Sequence, residues 1–169
     1  MISSNHLLYK TWKGGKGASP YRRRKMSAVS MMDAAKAMGK INKFSGARQL
    51  KVMGDGCRGS EAAYFKEKIV EMAGIIETMP VSYQTDDQGM EAVVRLHYFL
   101  NGWDWYITEK DIDTDGQGQI QAFGFADSGE GFGPELGYIS IKEITRCGAE
   151  LDMHWTPCTL RQIKEKAAA

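Results

Sequence analysis

Apolar residues recur at helical spacing in the first part of the chain. Ser30 and Asp33 have the spacing of an N-terminal capping box, and the apolar positions that follow predict a helix from about 31 to 43. Four glycines between Ser45 and Gly59 then predict a loop. We expect this loop to act as a hinge between the helix and the rest of the chain.

A longer apolar stripe predicts a second helix. It opens at Ser60 and ends before Pro80, because the residue ahead of a proline disfavours the helical conformation. Charged residues lie mostly off the stripe, which indicates one face on a core and the other in water. The stripe consists of Ala62, Phe65, Ile69, Met72 and Ile76.

The pattern then changes to alternation. Apolar residues occupy every second position from 94 to 100 and again from 103 to 107, which is the period of a β-strand. Asn101-Gly102 between them is the strongest short signal for a two-residue hairpin turn. These residues therefore predict two adjacent antiparallel strands.

Shorter segments complete the predicted order. We expect strands at 120–126, 137–140 and 150–155, a helix at 141–147 and a last helix from 159 to 166. This order lacks the regular strand–helix alternation of a parallel sheet. We therefore predict an α+β fold, with an antiparallel sheet of about five strands and helices packed on one face.

The 169 residues carry a net charge of only +1, but the charges are segregated. Residues 1–58 hold 13 Lys or Arg and two Asp, a net charge of +11, whereas residues 59–169 hold nine basic and 19 acidic residues, a net charge of −10. We therefore divide the chain into a basic N-terminal arm with one helix (1–58) and an acidic α+β domain (59–169). Such asymmetry is typical of an arm that binds polyanions or docks on its own acidic body.

Cations and aromatic rings are interleaved with glycines in the first 25 residues. Basic side chains neutralise phosphates and aromatic rings stack on bases, so this composition favours binding to DNA or RNA without sequence preference. A solvated tail without a ligand is the alternative. The candidate nucleic-acid-binding residues are Lys10, Trp12, Lys13, Lys16, Tyr21, Arg22, Arg23, Arg24 and Lys25.

Apolar runs and cysteine spacing predict the cellular compartment of the protein and the redox state of its cysteines. No apolar run approaches the roughly 18 to 20 residues of a membrane-spanning helix, and the N-terminus lacks the apolar core of a signal peptide. We therefore expect a cytoplasmic protein with no membrane partner. Cys57, Cys147 and Cys158 have no CxxC spacing, which indicates reduced thiols. The pattern leaves the oligomeric state open.

One acidic stretch resembles the start of a calcium-binding EF-hand loop, at Asp111, Asp113, Asp115 and Gly116. The twelfth position of that loop is Ala122, where a bidentate glutamate is needed, and the flanks have strand periodicity instead of helical periodicity. An acidic hairpin loop is the alternative that we favour. We therefore predict neither a metal nor another cofactor.

A metal-dependent enzyme acting on nucleic acid is a further alternative, since carboxylates and imidazoles are present. No ligand spacing selects among them, and the glycine-rich segment 124–137 contains neither a P-loop nor a dinucleotide-binding motif. The chain therefore shows no catalytic motif. The residues of this alternative are Glu109, Asp111, Asp113, Glu135 and His154.

Two stretches, Trp105-Tyr106-Ile107-Thr108-Glu109 and Glu135-Leu136-Gly137-Tyr138-Ile139-Ser140, are the most specific of several that resemble a known family. The family is a domain of unknown function that occurs in phages, plasmids and integrated elements, alone and inside large polyvalent proteins. The resemblance covers about residues 60–165 and excludes the arm.

The resemblance implies a mobile-element context more than a chemistry, and such accessory proteins often protect the element against host defences. We therefore expect a non-enzymatic protein that binds and inhibits a host defence protein or nucleoprotein complex, of the anti-CRISPR or antirestriction type, by occupying a nucleic-acid site. Direct binding of DNA or RNA through the arm is the alternative. The acidic residues assigned to the partner surface are Glu109, Asp111, Asp113, Asp115, Asp127, Glu130 and Glu135.

Overall fold

A five-stranded antiparallel sheet forms the centre of the fold in a computed structural model, which describes residues 28–112 and 118–167. The strands of the described residues are β1 (Val93–Val94), β2 (Leu96–Leu100), β3 (Trp103–Glu109), β4 (Ala122–Asp127), β5 (Glu135–Ile139), β6 (Glu150–Leu151) and β7 (Cys158–Thr159). The large sheet has the order β5-β4-β3-β2-β6, while β1 and β7 pair with each other. The short strands β6 and β5 are therefore the two edges of the large sheet.

Five α-helices are present in the same ranges. They are α1 (Met31–Ile41), α2 (Ala47–Gly56), α3 (Ala62–Thr78), α4 (Ile141–Cys147) and α5 (Leu160–Ala167). The predicted capping box starts α1, since Ser30 Oγ accepts from Asp33 N at 3.1 Å and Asp33 Oδ2 accepts from Ser30 N at 3.3 Å. None of the described helices is long and apolar enough to span a membrane.

The predicted hairpin joins β2 to β3. Asn101 and Gly102 both have positive φ, 49° and 88°, as a type I′ turn requires. The turn sets the register, so that Leu96 pairs with Ile107 and Leu100 with Trp103. This register places the alternating apolar residues of both strands on one face of the sheet.

The first three helices cover that face. Apolar side chains of α1, α2 and α3 form one buried cluster with Leu96, Tyr98 and Ile107 of the sheet. Tyr98 is fully buried, and its hydroxyl donates a 2.7 Å hydrogen bond to the carbonyl oxygen of Phe44, between α1 and α2. The main core therefore lies between the N-terminal helices and the sheet.

The C-terminal segment covers part of the other face. Leu160 and Ile163 of α5 pack with Val94 of β1 and with Phe125 of β4 in a second, smaller buried cluster. Trp155 joins this cluster, and its Nε1 donates to the carbonyl oxygen of Val94 at 3.1 Å. The sheet is thus flanked by α1–α3 on one side and by α5 on the other.

The predicted α+β class, the antiparallel sheet and its five strands are confirmed. The predicted loop at 45–59 is wrong, because α2 occupies most of it. Met53 and Cys57 at helical spacing are buried in the main core, and this burial outweighs the low helix propensity of the glycines. The predicted strand at 150–155 contracts to the two residues of β6, and the chain then leaves the sheet.

The division of the chain at residue 58 marks a change of charge and not of packing. Side chains of α1, of α2 and of Cys57 belong to the same buried cluster as α3 and the sheet. The first 27 residues, which carry all nine candidate nucleic-acid-binding residues, lie outside the described ranges.

Two glycines that pair across β4 and β5 provide a matched test of this packing. A Cβ on Gly124 would collide with the carbonyl oxygen of Tyr106 on β3, whereas a Cβ on Gly137 would meet open space. We expect Gly124→Ala to lower the free energy of unfolding by about 1–3 kcal/mol or more. Gly137→Ala should leave it unchanged or raise it by up to about 1 kcal/mol. Urea denaturation measures both, and equal effects of the two variants would contradict the close approach of β3 and β4.

Candidate functional site

His97 lies between two aspartates on the sheet face that carries α5. Its Nε2 is 2.7 Å from Asp104 Oδ1, and its Nδ1 is 3.1 Å from Asp152 Oδ2. The ring stacks on Tyr106, with centroids 4.9 Å apart, and contacts Trp155 at 4.8 Å. Both ring nitrogens are therefore in contact with carboxylate oxygens. The cluster joins β2, β3 and the segment after β6, so its geometry is that of a structural junction.

Tyr106 lies beside this cluster. Burial and the negative charges of Asp104 and Asp127 disfavour the phenolate and raise the pKa of Tyr106 to about 12. The phenol is therefore neutral at physiological pH and acts as a ring for His97 to stack on.

Two of the carboxylates assigned to a partner surface are buried. Glu109 is 1% exposed, and its carboxylate accepts hydrogen bonds from Tyr83 N at 2.8 Å and from Thr85 Oγ1 at 2.6 Å. Asp111 is 8% exposed and accepts from the backbone N–H groups of Ile120 and Gln121, both at 3.1 Å. These side chains fasten two loops to the end of β3, so the structure removes them from the partner surface.

The other acidic candidates are dispersed. Asp127 is half-buried, faces Asp104 across β3 and β4, and accepts from Gly129 N at 2.9 Å. Glu130 and Glu135 are exposed, while Asp113 and Asp115 lie outside the described ranges. Of the residues proposed for a metal-dependent enzyme, Glu109 pairs with Phe123 but Glu135 pairs with Ala126, about 10 Å further along β4. Within the described residues, no three His, Cys, Asp or Glu side chains are arranged to hold a metal ion.

A cavity of about 600 Å³ at the start of α2 brings together cations that are distant in the sequence. Among the described residues, its lining comes from the segment just after α1, from the start of α2, from α4 and from the start of β6, and it includes one carboxylate, that of Glu150. We call it the cationic cavity. Its basic side chains are those of Lys43, Arg48, Lys142 and Arg146.

The start of α2 contributes backbone donors to this cavity. The first N–H groups of a helix have no partner within the helix, and the N-cap residue Gly46 makes no side-chain hydrogen bond to them. The backbone of Gly46 also lies close to that of α4, since a Cβ on it would be 3.1 Å from the carbonyl oxygen of Thr145. The start of α2, which carries the positive end of its dipole, and the basic residues Lys142 and Arg146 of α4 line the same cavity.

An apolar groove of about 320 Å³ lies on the other side of the same helix. It runs between α2, α3 and the β2–β6 edge of the sheet, and we call it the aromatic groove. Arg48, Gln49 and Glu150 line both the groove and the cationic cavity. The apolar lining residues of the groove are Val52, Met53, Tyr64, Phe65, Ile69, Phe99, Leu151 and Met153.

Sequence reasoning missed both features. Lys43 and Arg48 were assigned to the arm and Lys142 and Arg146 to the acidic domain, so no local pattern connects the two pairs. His154, a candidate residue of the metal-dependent alternative, lines the groove, where its Nδ1 is 3.2 Å from the hydroxyl of Tyr64. The cavity could have been located from the sequence only if a helix had been predicted directly after Gly46. The glycines between Ser45 and Gly59 predicted a loop instead.

Comparisons with protein-family models, with curated proteins and with solved structures find no match to this chain. The resemblance to the mobile-element family therefore stays a prediction.

The buried role of Glu109 can be tested against an exposed glutamate. In Glu109→Gln an amide NH₂ replaces one acceptor oxygen and faces backbone and hydroxyl donors, so we expect the free energy of unfolding to fall by about 1–3 kcal/mol. The control Glu135→Gln, on the exposed edge strand β5, should change it by less than about 0.5 kcal/mol. Urea denaturation at neutral pH compares the two. Equal stabilities would contradict the internal role and return Glu109 to the surface candidates.

Proposed function

We propose that this protein binds nucleic acid and that the cationic cavity holds backbone phosphates. The observation that carries the proposal is the convergence of four basic side chains on one cavity at the start of a helix. Lys and Arg neutralise phosphates, and the first N–H groups of a helix bind anions. The basic side chains and the N–H groups together attract a polyanion, whereas an acidic surface of the protein would repel it.

The two arginines are the strongest elements of the cavity. Arg48 and Arg146 are both exposed, and no carboxylate of the described residues lies within ion-pair distance of either guanidinium. A guanidinium presents a planar fork of donors that matches two phosphate oxygens. We therefore assign phosphate binding first to Arg48 and Arg146.

The basic arm supports the same proposal from the sequence side. Residues 1–25 hold seven Lys or Arg, and α1 connects that segment to Lys43 at the cavity. Arm and cavity offer the same chemistry to a polyanion.

Neutralising the two arginines tests the cavity. We expect Arg48→Gln combined with Arg146→Gln to weaken binding to labelled DNA and to reduce the slope of log affinity against log salt by about 1.4 to 1.8, since each lost phosphate contact removes about 0.7 to 0.9. Fluorescence anisotropy over a salt series, with single-stranded and duplex oligonucleotides, measures this change.

The matched control is Lys36→Gln with Lys164→Gln, which removes the same charge from α1 and α5 outside the cavity. A full-length variant with residues 22–25 changed to Gln measures the contribution of the arm separately. If the arginine pair and the lysine pair have equal effects, the affinity for DNA depends on the overall charge of the protein and not on the cavity. Absence of DNA binding by the unmodified chain would refute the proposal.

A second proposal keeps the counter-defence function and is favoured by a different observation. Asp104 and Asp127 lie directly opposite each other on β3 and β4, and Asp152 lies on the other side of His97. Like charges in opposed positions of a sheet are destabilising, so a partner cation beside Asp127, the aspartate of this row that His97 does not engage, would be stabilising. We propose that the row imitates phosphates and occupies a cationic nucleic-acid site of a host defence complex.

A plasmid-protection assay tests this second proposal. Expression of the protein should protect an incoming plasmid against a restriction or CRISPR effector, and Asp127→Asn with Glu130→Gln should reduce protection by about tenfold or more. Glu61→Gln with Glu67→Gln, two exposed carboxylates at the start of α3, is the control that should retain protection. Full protection by the Asp127 variant, or none by the unmodified chain, would contradict the mimicry.

A further inference from the structure

We propose that the nucleic acid is single-stranded, with one unpaired base stacked in the aromatic groove while the adjacent phosphate lies in the cationic cavity. This inference rests on the proposed nucleic-acid binding and adds the class of ligand. The observation behind it is that Arg48 and Gln49 of α2 line both the cationic cavity and the aromatic groove.

The wall between the two sites is held in place by hydrogen bonds. Gln49 Nε2 donates to the carbonyl oxygen of Leu151 at 2.7 Å, and Gln49 Oε1 accepts from Leu151 N at 2.9 Å and from Ser45 Oγ at 2.7 Å. Arg48 is the residue before Gln49 in α2 and borders both sites. A strand of nucleic acid that passes Arg48 can therefore place a phosphate on one side and a base on the other.

Two partly exposed rings line the groove, since Tyr64 is 44% exposed and Phe99 is 42% exposed. The buried side chains of Met53 and Ile69 also line it and form an apolar floor. The ring of Tyr64 is nearly parallel to that of His154, with an interplanar angle of 21°. Exposed rings over an apolar floor suit a flat aromatic ligand, and every base has a face that can stack on them.

The charges of the groove fit a ligand whose anionic part lies at one end only. Lys68 is paired with Glu71 at 2.8 Å, and Asp152 is engaged by His97, so these groups offset each other. Glu150 is exposed at the border, where Arg48 and Arg146 outnumber it. The groove itself is therefore close to neutral, and attraction for phosphate is confined to the cavity.

The groove discriminates between strands because duplex bases are already stacked and paired. Bringing such a base into a side pocket requires unstacking and unpairing, whereas a single strand offers its bases freely. The cationic cavity attracts phosphates of either form. The groove should therefore contribute to the affinity for single strands and not to that for duplexes.

The experiment compares labelled oligothymidine with a duplex of equal length on the full chain. We expect Tyr64→Leu and Phe99→Leu, which remove a ring and keep an apolar side chain, each to weaken single-strand binding by about 5- to 150-fold. Duplex affinity should change by less than about twofold, because the phosphate contacts remain.

Tyr138→Leu is the control for a ring elsewhere, since Tyr138 is 56% exposed on β5 and lines neither site. Thermal unfolding of each variant shows whether the fold is retained, and Phe99→Leu and Tyr64→Leu are independent tests on different elements. If the Arg48 and Arg146 variant loses affinity but both ring variants bind single strands normally, the present inference fails and the proposed function stands. If the unmodified chain binds neither oligonucleotide, both fail.

Discussion

The hydrogen bonds between Gln49 and Leu151 connect residues 102 positions apart and determine how the N-terminal helices meet the sheet. The amide of Gln49 engages both backbone groups of Leu151, as a neighbouring strand would, and so completes the outer edge of β6. Leu151 in turn pairs with Tyr98, whose hydroxyl donates a hydrogen bond to the carbonyl oxygen of Phe44. The position of α2 depends on these hydrogen bonds between Gln49 and Leu151. The cationic cavity and the aromatic groove depend in turn on the position of α2.

The acidic residues divide into two populations with different physical roles. Glu109 and Asp111 lie inside, where their oxygens satisfy loop N–H groups that would otherwise be buried without partners. Asp104 and Asp152 hold an imidazole on the sheet face. Part of the charge that makes the second half of the chain acidic therefore belongs to the architecture, which leaves less of it for a partner and raises the relative weight of the cationic cavity.

The fold follows from local signals where one face of an element is buried. The Ser30 capping box, the stripe of α3 and the Asn101-Gly102 turn are each read from a few neighbouring residues, and each is present. The prediction failed at α2, because its glycines disfavour a helix and only the burial of Met53 and Cys57 against α3 and the sheet compensates. Such compensation depends on contacts that no local window contains.

The sequence by itself determined the α+β class, the antiparallel hairpin, the order of most elements and the basic character of the first 25 residues, since periodicity and charge are local properties. Only the tertiary structure decided which charges meet. Lys43 and Arg48 lie about 100 residues from Lys142 and Arg146, and they converge because the start of α2 approaches the backbone of α4 at Thr145. Tertiary packing also turned Glu109 inward and placed rings of α3 and β2 around one groove, because burial depends on neighbours in space and not in sequence.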